Sequence, residues 1–189
     1  MAVHQDEHSH KHHHKGKSSE KIVDQNAVLT ALKITPGEIV LDAGCGNGYM
    51  AKRFAELASP GGVVYAMDPD VDAIEKLKAE TGNTIIQPFM GDMTKHTRLP
   101  DNAFDLIYVG MVTHGFSATE MDGFAKEVTR LLKPGGRLAI VEIKKEETPF
   151  GPPMDIRLSP EDLQGHIPLQ PVALTDAGQY LYLQLFSRE

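Results

Sequence analysis

The segment Asp42-Ala43-Gly44-Cys45-Gly46-Asn47-Gly48 has the residue types of a ligand-binding turn. It follows the apolar run Ile39-Val40-Leu41 and precedes a helical pattern, so its glycines stand where a strand hands over to a helix N-terminus. Glycine reaches backbone angles closed to other residues and lets a ligand approach the main chain. A dinucleotide fingerprint is spaced G-x-G-x-x-G. Here the spacing is G-x-G-x-G, and Tyr49 fills the third glycine slot of the dinucleotide pattern. Asp42 stands ahead of the first glycine, where a carboxylate suits a cation better than a pyrophosphate. Asp68, followed by Pro69, closes the next apolar run at the distance where an acid meets ribose hydroxyls. Asp92-Met93 follows a third run, and its carboxylate could accept from an adenine amino group. Each residue also has a plain reading: a structural glycine turn, and aspartates that cap helices or turns.

Those positions require an alternating fold. Ser18 and Ser19 can cap a helix carrying Ile22, Val23, Val28, Leu29 and Leu32. The pattern then predicts strands at 38–43, 63–67, 84–90, 104–109 and 137–143, with helices at 47–58, 70–80 and 119–132 between them. Strands separated by helices imply a parallel sheet with right-handed crossovers. A short helix near 159–163 then precedes two β-like runs, 169–174 and 179–186, and Asp176-Ala177-Gly178 reads as the hairpin turn between them. The carboxyl ends of parallel strands share one rim, and all three aspartates fall there. A positively charged nucleoside without phosphate fits such a rim. S-adenosylmethionine (SAM) carries an ammonium and a sulfonium and no phosphate.

Composition narrows the field. The chain has 189 residues, enough for one core. Its net charge is −7, which disfavours nucleic acid as a partner. No apolar run approaches the roughly 20 residues of a membrane span. One cysteine, Cys45, excludes an internal disulfide framework and is expected to be a small buried turn residue; a cytoplasmic setting follows as the default. Residues 1–17 are polar and histidine-rich, and they read as a disordered tail ahead of a single domain at 18–189. Its His8, His10, His12, His13 and His14 could bind a transition metal, though a tag-like or incidental tail is the favoured explanation.

With these residues in hand, the chain resembles the class I SAM-dependent methyltransferases. It is most similar to the group of ubiquinone/menaquinone-biosynthesis methyltransferases and their small relatives. VLDAGCGNGYMAKRFAEL resembles the first motif of that family and VVYAMDPD its acidic second motif. GDMTKHTRLPDNAFDLIYVG resembles the adenine loop and fourth strand, and EVTRLLKPGGRLAIVE the helix, turn and fifth strand that follow. The resemblance implies an α/β fold: a three-layer Rossmann-like sandwich with a seven-stranded, mostly parallel sheet whose last strand is antiparallel. It implies that Asp42, Gly44 and Gly46 hold the methionine end of SAM, Asp68 the ribose, and Asp92 and Met93 the adenine, with Tyr49, Pro69 and Val109 also among the cofactor-binding residues. Asp105 matches a fourth-strand aspartate with a structural role. Val109-Gly110-Met111-Val112 departs from the Asn/Asp-Pro-Pro-Tyr/Phe motif of amino-methylating members, which disfavours that chemistry.

Methyl transfer from a sulfonium is an in-line displacement, and a base is needed only if the acceptor must lose a proton. His114 is the candidate base, with packing as its plain alternative. Met111, Phe150, Met154 and Arg157 are expected to line a small-molecule acceptor pocket, under a lid made of the N-terminal helix and the Pro/Gly-rich loop after 143. Three readings stand on sequence alone: a small-molecule methyltransferase that releases S-adenosylhomocysteine, a non-catalytic SAM- or metal-binding protein, and a nicotinamide-dependent oxidoreductase. Tyr49 and the terminal hairpin count against the third.

Overall fold

The computed structural model describes residues 18–189. The elements run α1 (Gln25–Leu32), β1 (Ile39–Ala43), α2 (Tyr49–Ala58), β2 (Val63–Asp68), α3 (Val71–Thr81), β3 (Ile86–Met90), β4 (Phe104–Gly110), α4 (Ala118–Leu131), β5 (Leu132–Ile143), α5 (Pro160–His166), β6 (Gln170–Gly178) and β7 (Leu181–Ser187). One seven-stranded sheet has the order β3-β2-β1-β4-β5-β7-β6. β1 to β5 are mutually parallel, and β7 runs antiparallel between β5 and β6. This is the fold class expected from the sequence, including its antiparallel last strand.

Period-2 burial splits the core into two layers. Val40 of β1 and Val64 of β2 pack with Val28 and Leu32 of α1, Met50 and Phe54 of α2, and Ile74 and Leu77 of α3. Leu41 and Ala43 point the other way, joining Phe124 and Val128 of α4 and Leu163 of α5. Phe54 and Phe124 are both wholly buried. Truncating either to alanine costs about 3–5 kcal/mol, because transfer and cavity terms add.

Three local details depart from the sequence reading. The N-terminal helix is two pieces: Ser18 caps only a 3-10 turn at Ser19–Lys21, while Asp24 caps α1 through the Ala27 amide at 3.0 Å. Asp24 also donates its own amide to Ala177 at 2.8 Å, which fixes where α1 begins. Asp176-Ala177-Gly178 is not the hairpin turn. It belongs to β6 and carries a register shift, and the turn is Gln179-Tyr180. The Ile22 carbonyl approaches so closely that a Cβ on Gly178 (φ +141°) would lie 2.6 Å from it. Finally, β5 begins at Leu132, with Pro134-Gly135-Gly136 bulged out between the Phe104–Leu132 and Leu106–Arg137 pairings.

The strand order reverses between β1 and β4. Open α/β sheets bind ligands beyond the carboxyl ends of such a pair.

Candidate functional site

The glycine turn leaves β1 at that reversal. Gly44, Gly46 and Gly48 all have positive φ (79°, 51° and 72°), so the backbone path requires glycine. The Gly44 and Cys45 amides donate to the Met67 carbonyl at 2.8 and 3.0 Å, tying the turn to the end of β2. The Gly46 amide donates to Asp68 Oδ2 at 2.9 Å, and the Asp70 amide donates to Oδ1 at 2.9 Å. Asp68 thereby joins the turn to the start of α3. A Cβ on Gly46 would meet nothing within 4 Å, so the turn is open at Gly46, while Gly44 and Gly48 pack closely against Val112 and Leu77.

Asp42 lies beneath this turn and is 2% exposed. Its Oδ2 has no hydrogen-bond partner among the described residues. Burial, and then the Asp68 carboxylate, push its carboxyl up to about 7; only the Ala51 amide at the start of α2 pulls the other way. The Tyr108 hydroxyl, on the strand paired with β1, is also buried and makes no hydrogen bond of good geometry among the described residues, with Tyr49 standing beside it. Folded proteins leave few such groups unpaired, and the bare Asp42 oxygen asks for a donor the chain does not supply. Tyr49 caps the scene: its hydroxyl lies 2.8 Å from Ser19 Oγ, which holds the N-terminal 3-10 turn over the glycines. Burial pushes the Tyr49 hydroxyl up to about 12. A cavity of about 380 Å³ lies on the outer side of Tyr49, lined mainly by charged side chains such as Glu20, Lys52, Arg53, Lys76 and Glu80; Asp42, Gly44, Gly46 and Asp68 do not line it. Burial first, and then the charges of Asp42 and Asp68, hold the Cys45 thiol well above its ordinary range, which makes it inert packing.

On the adenine side, Asp92 Oδ1 accepts from the Thr94 amide and hydroxyl at 2.9 and 2.6 Å, and Oδ2 pairs with Lys95 at 2.7 Å. Met93 and Val109 are buried in the α4-side core, at 6% and 1% exposure. Pro69 is exposed beside Asp68. Asp105 accepts from the Ile39 amide at 2.8 Å and from Lys133, a purely structural link between β1, β4 and β5.

Across the rim, β4 ends at Gly110 and is followed by Met111, whose φ of 60° is unusual for a side-chain-bearing residue. Strain of this kind gathers at ligand sites. The next residue, Val112, packs onto Gly44, with Cγ2 only 2.6 Å from where a Cβ would stand. Then come Thr113 and His114, both bonded to Glu142 of β5. Glu142 Oε1 accepts from the Thr113 hydroxyl (2.6 Å) and the His114 amide (3.1 Å), while Oε2 lies 2.7 Å from His114 Nδ1. The sequence reading missed Glu142 and Thr113. A single charge in the apolar run Leu138–Ile143 was the available signal.

Comparison with known proteins decides the family. A methyltransferase-domain family matches residues 41–140, more than half the chain. The chain belongs to that methyltransferase family. It is 30% identical over 129 residues to the ubiquinone/menaquinone biosynthesis C-methyltransferase UbiE of Cupriavidus pinatubonensis, covering 68% of this chain and 52% of that protein. The chain thus spans about half the length of the curated relatives it matches. Among solved structures, it is similar to a SAM dependent methyltransferase from Aquifex aeolicus, with TM-score 0.80, 25% identity, and 91% and 93% of the two chains covered. A putative type 11 methyltransferase from Sulfolobus solfataricus gives TM-score 0.68 at 27% identity, covering 81% and 85%.

The acceptor-side residues of this methyltransferase divide. Met111 and Phe150 pack against the α1-side core, and Phe150 stacks edge-on with Tyr180 at 5.5 Å. Met154 is 40% exposed. Arg157 departs from its expected place. It is buried, and its guanidinium donates to the carbonyls of Pro152, Lys144, Glu146 and Phe150 at 2.6–3.3 Å. Arg157 therefore clamps the loop after β5 rather than offering a charge to an acceptor. Among the described residues no group of three or more His, Cys, Asp or Glu could hold a metal, and no helix is long and apolar enough to cross a membrane. The histidines at 8–14 lie outside the described residues.

Proposed function

We propose that this methyltransferase binds SAM at the glycine rim and methylates a small-molecule acceptor, releasing S-adenosylhomocysteine. The observation that carries the reading is the buried Asp42 oxygen with no donor, under a turn that is open at Gly46. The residues fit the group. Asp42, Gly44 and Gly46 would hold the methionine end, whose ammonium supplies the missing donor, with Tyr49 closing over it. Asp68 and Pro69 would flank the ribose, and Asp68 keeps spare lone pairs beyond its two amide bonds. Asp92 would meet the adenine, with Met93 and Val109 as the packed wall behind it. SAM supplies a methyl already activated by its sulfonium. The chain's own work is to align the acceptor and exclude water.

The relatives' name, a C-methyltransferase of ubiquinone/menaquinone biosynthesis, favours a small organic acceptor. The acidic balance of the chain disfavours nucleic acid. The single buried cysteine suits the cytoplasm as its setting.

Titration calorimetry with SAM, S-adenosylhomocysteine and NAD tests this. Binding of the first two and silence with NAD is the expected result. NAD binding in their place would return the oxidoreductase reading. SAM consumption across small-molecule classes is the second arm; binding without consumption of any class would favour a non-catalytic SAM-binding protein.

A further inference from the structure

Glu142 is 1% exposed and His114 is largely buried, with a side chain 9% exposed. The two form a built device rather than a chance contact. Glu142 Oε1 receives two donors that permit only an oxygen there, the Thr113 hydroxyl and the His114 amide. That pins the carboxylate and leaves Oε2 against His114 Nδ1 at 2.7 Å. An acceptor-only carboxylate at that distance demands a proton on Nδ1. The neutral ring is then the tautomer whose Nε2 carries a lone pair. Nε2 has no partner among the described residues and is not sealed from solvent. The ring sits two residues beyond Val112, which touches Gly44, so it shares the rim with the proposed SAM site.

We propose that His114 Nε2 is the base that takes a proton from the acceptor during methyl transfer, and that Glu142 and Thr113 are the positioning residues that fix its tautomer. The inference rests on the methyl-transfer reading and narrows its substrate class: the methylated atom bears a proton it must lose, as in a phenol, an enol or an electron-rich aromatic carbon. The step balances. The acceptor atom's electron pair forms the new bond to the methyl carbon. The carbon–sulfur pair returns to sulfur, turning the sulfonium into a thioether. The proton passes to Nε2, leaves the imidazolium beside the Glu142 carboxylate, and is then lost to water.

The test has a readout that needs no turnover. Nitrogen-15 NMR of the full chain, with the His114 signals assigned by their loss in His114→Ala, is expected to show Nδ1 protonated and Nε2 bare in the neutral ring. In Glu142→Gln the pinned Oε1 remains oxygen, so the amide NH₂ faces Nδ1 and the tautomer flips. Wild-type protein with the proton on Nε2, or a variant that keeps the wild-type tautomer, would overturn the proposal. Turnover is followed with labelled SAM on a catechol, a 1,4-hydroquinone, and N,N-dimethylbenzylamine, whose nitrogen has no proton to lose. Transfer is expected to a proton-losing probe, and Glu142→Gln is expected to cut kcat by about 10²- to 10⁴-fold with KM and SAM affinity held. Adding Glu142→Gln to His114→Ala is expected to cost nothing further. Transfer only to the tertiary amine, or to none of the probes, overturns the substrate class. Failure of wild type to bind SAM at all defeats the methyl-transfer reading separately, with the ring's tautomer still read from the NMR.

Discussion

Two carboxylates stand near the carboxyl ends of neighbouring parts of the same sheet, both almost wholly buried. Asp42 of β1 has one oxygen with no partner, and its carboxyl titrates near 7. Glu142 of β5 accepts from a hydroxyl, an amide and a ring nitrogen. Burial alone therefore does not decide the role of a charged group; its unfilled hydrogen-bonding capacity does. Glu142 is complete without a ligand and can only act through what it holds. Asp42 is incomplete, and a cationic ligand would complete it.

The largest expected effect separates the two through pH. An unfolded chain releases the Asp42 proton near 3.8, while the folded chain holds it to about 7. Between those values the folded state binds the extra proton, so this residue's share of stability falls as pH rises and levels off above 7. About three units at 1.36 kcal/mol each gives roughly 4 kcal/mol. Asp42→Asn cannot ionise, so in urea unfolding its stability relative to wild type is expected to climb by that order from pH 4 to pH 7. A flat difference would mean that Asp42 is not desolvated. The same logic applies to the ligand. At pH 6, SAM binding is expected to release a proton from Asp42, visible as a calorimetric enthalpy that changes with the buffer's own ionisation enthalpy. In Asp42→Asn that buffer dependence disappears.

Glu142→Ala probes the other member. It strands the Thr113 hydroxyl, the His114 amide and the ring N–H together. At about 1–3 kcal/mol for each buried donor left unpaired, the expected loss is at least roughly 3 kcal/mol, read as a lower urea midpoint. A loss below about 1 kcal/mol would mean that water replaces the carboxylate freely and the site is looser than its distances indicate.

Much of this arrangement was legible before the structure. Alternating patterns at the right lengths gave the layers and the sheet, because burial on both faces leaves parallel strands as apolar runs between amphipathic helices. The glycine turn and Asp68 were legible because positive φ and a strand-end carboxylate leave a mark in residue type. Arg157 was misjudged because a guanidinium that satisfies four carbonyls looks, in sequence, like one that awaits a ligand. The hairpin turn was misplaced by one tight approach, Ile22 against Gly178, which joins residues more than 150 positions apart and leaves no local trace. Glu142 was overlooked for the same reason: its partners come from a different strand's loop, so no spacing rule links them.

The smallest effects grade the rest of the rim. Asp68 gives each oxygen one amide bond and retains free lone pairs, whereas Asp92 has two bonds on Oδ1 and Lys95 on Oδ2. A carboxylate that is already engaged gains less from a ligand's donors. Asp68→Ala is therefore expected to weaken SAM binding by about 1–3 kcal/mol, the range for a charged acceptor, and also to free the Gly46 amide. Asp92→Ala is expected to cost less than about 1 kcal/mol, since its pair with an exposed lysine is weak and water restores most of what is lost. Calorimetry on the two variants side by side settles the order. Should Asp92→Ala prove the more damaging, the adenine end would hold the nucleoside more firmly than the ribose end, and unfilled capacity would no longer be the rule that sorts these carboxylates.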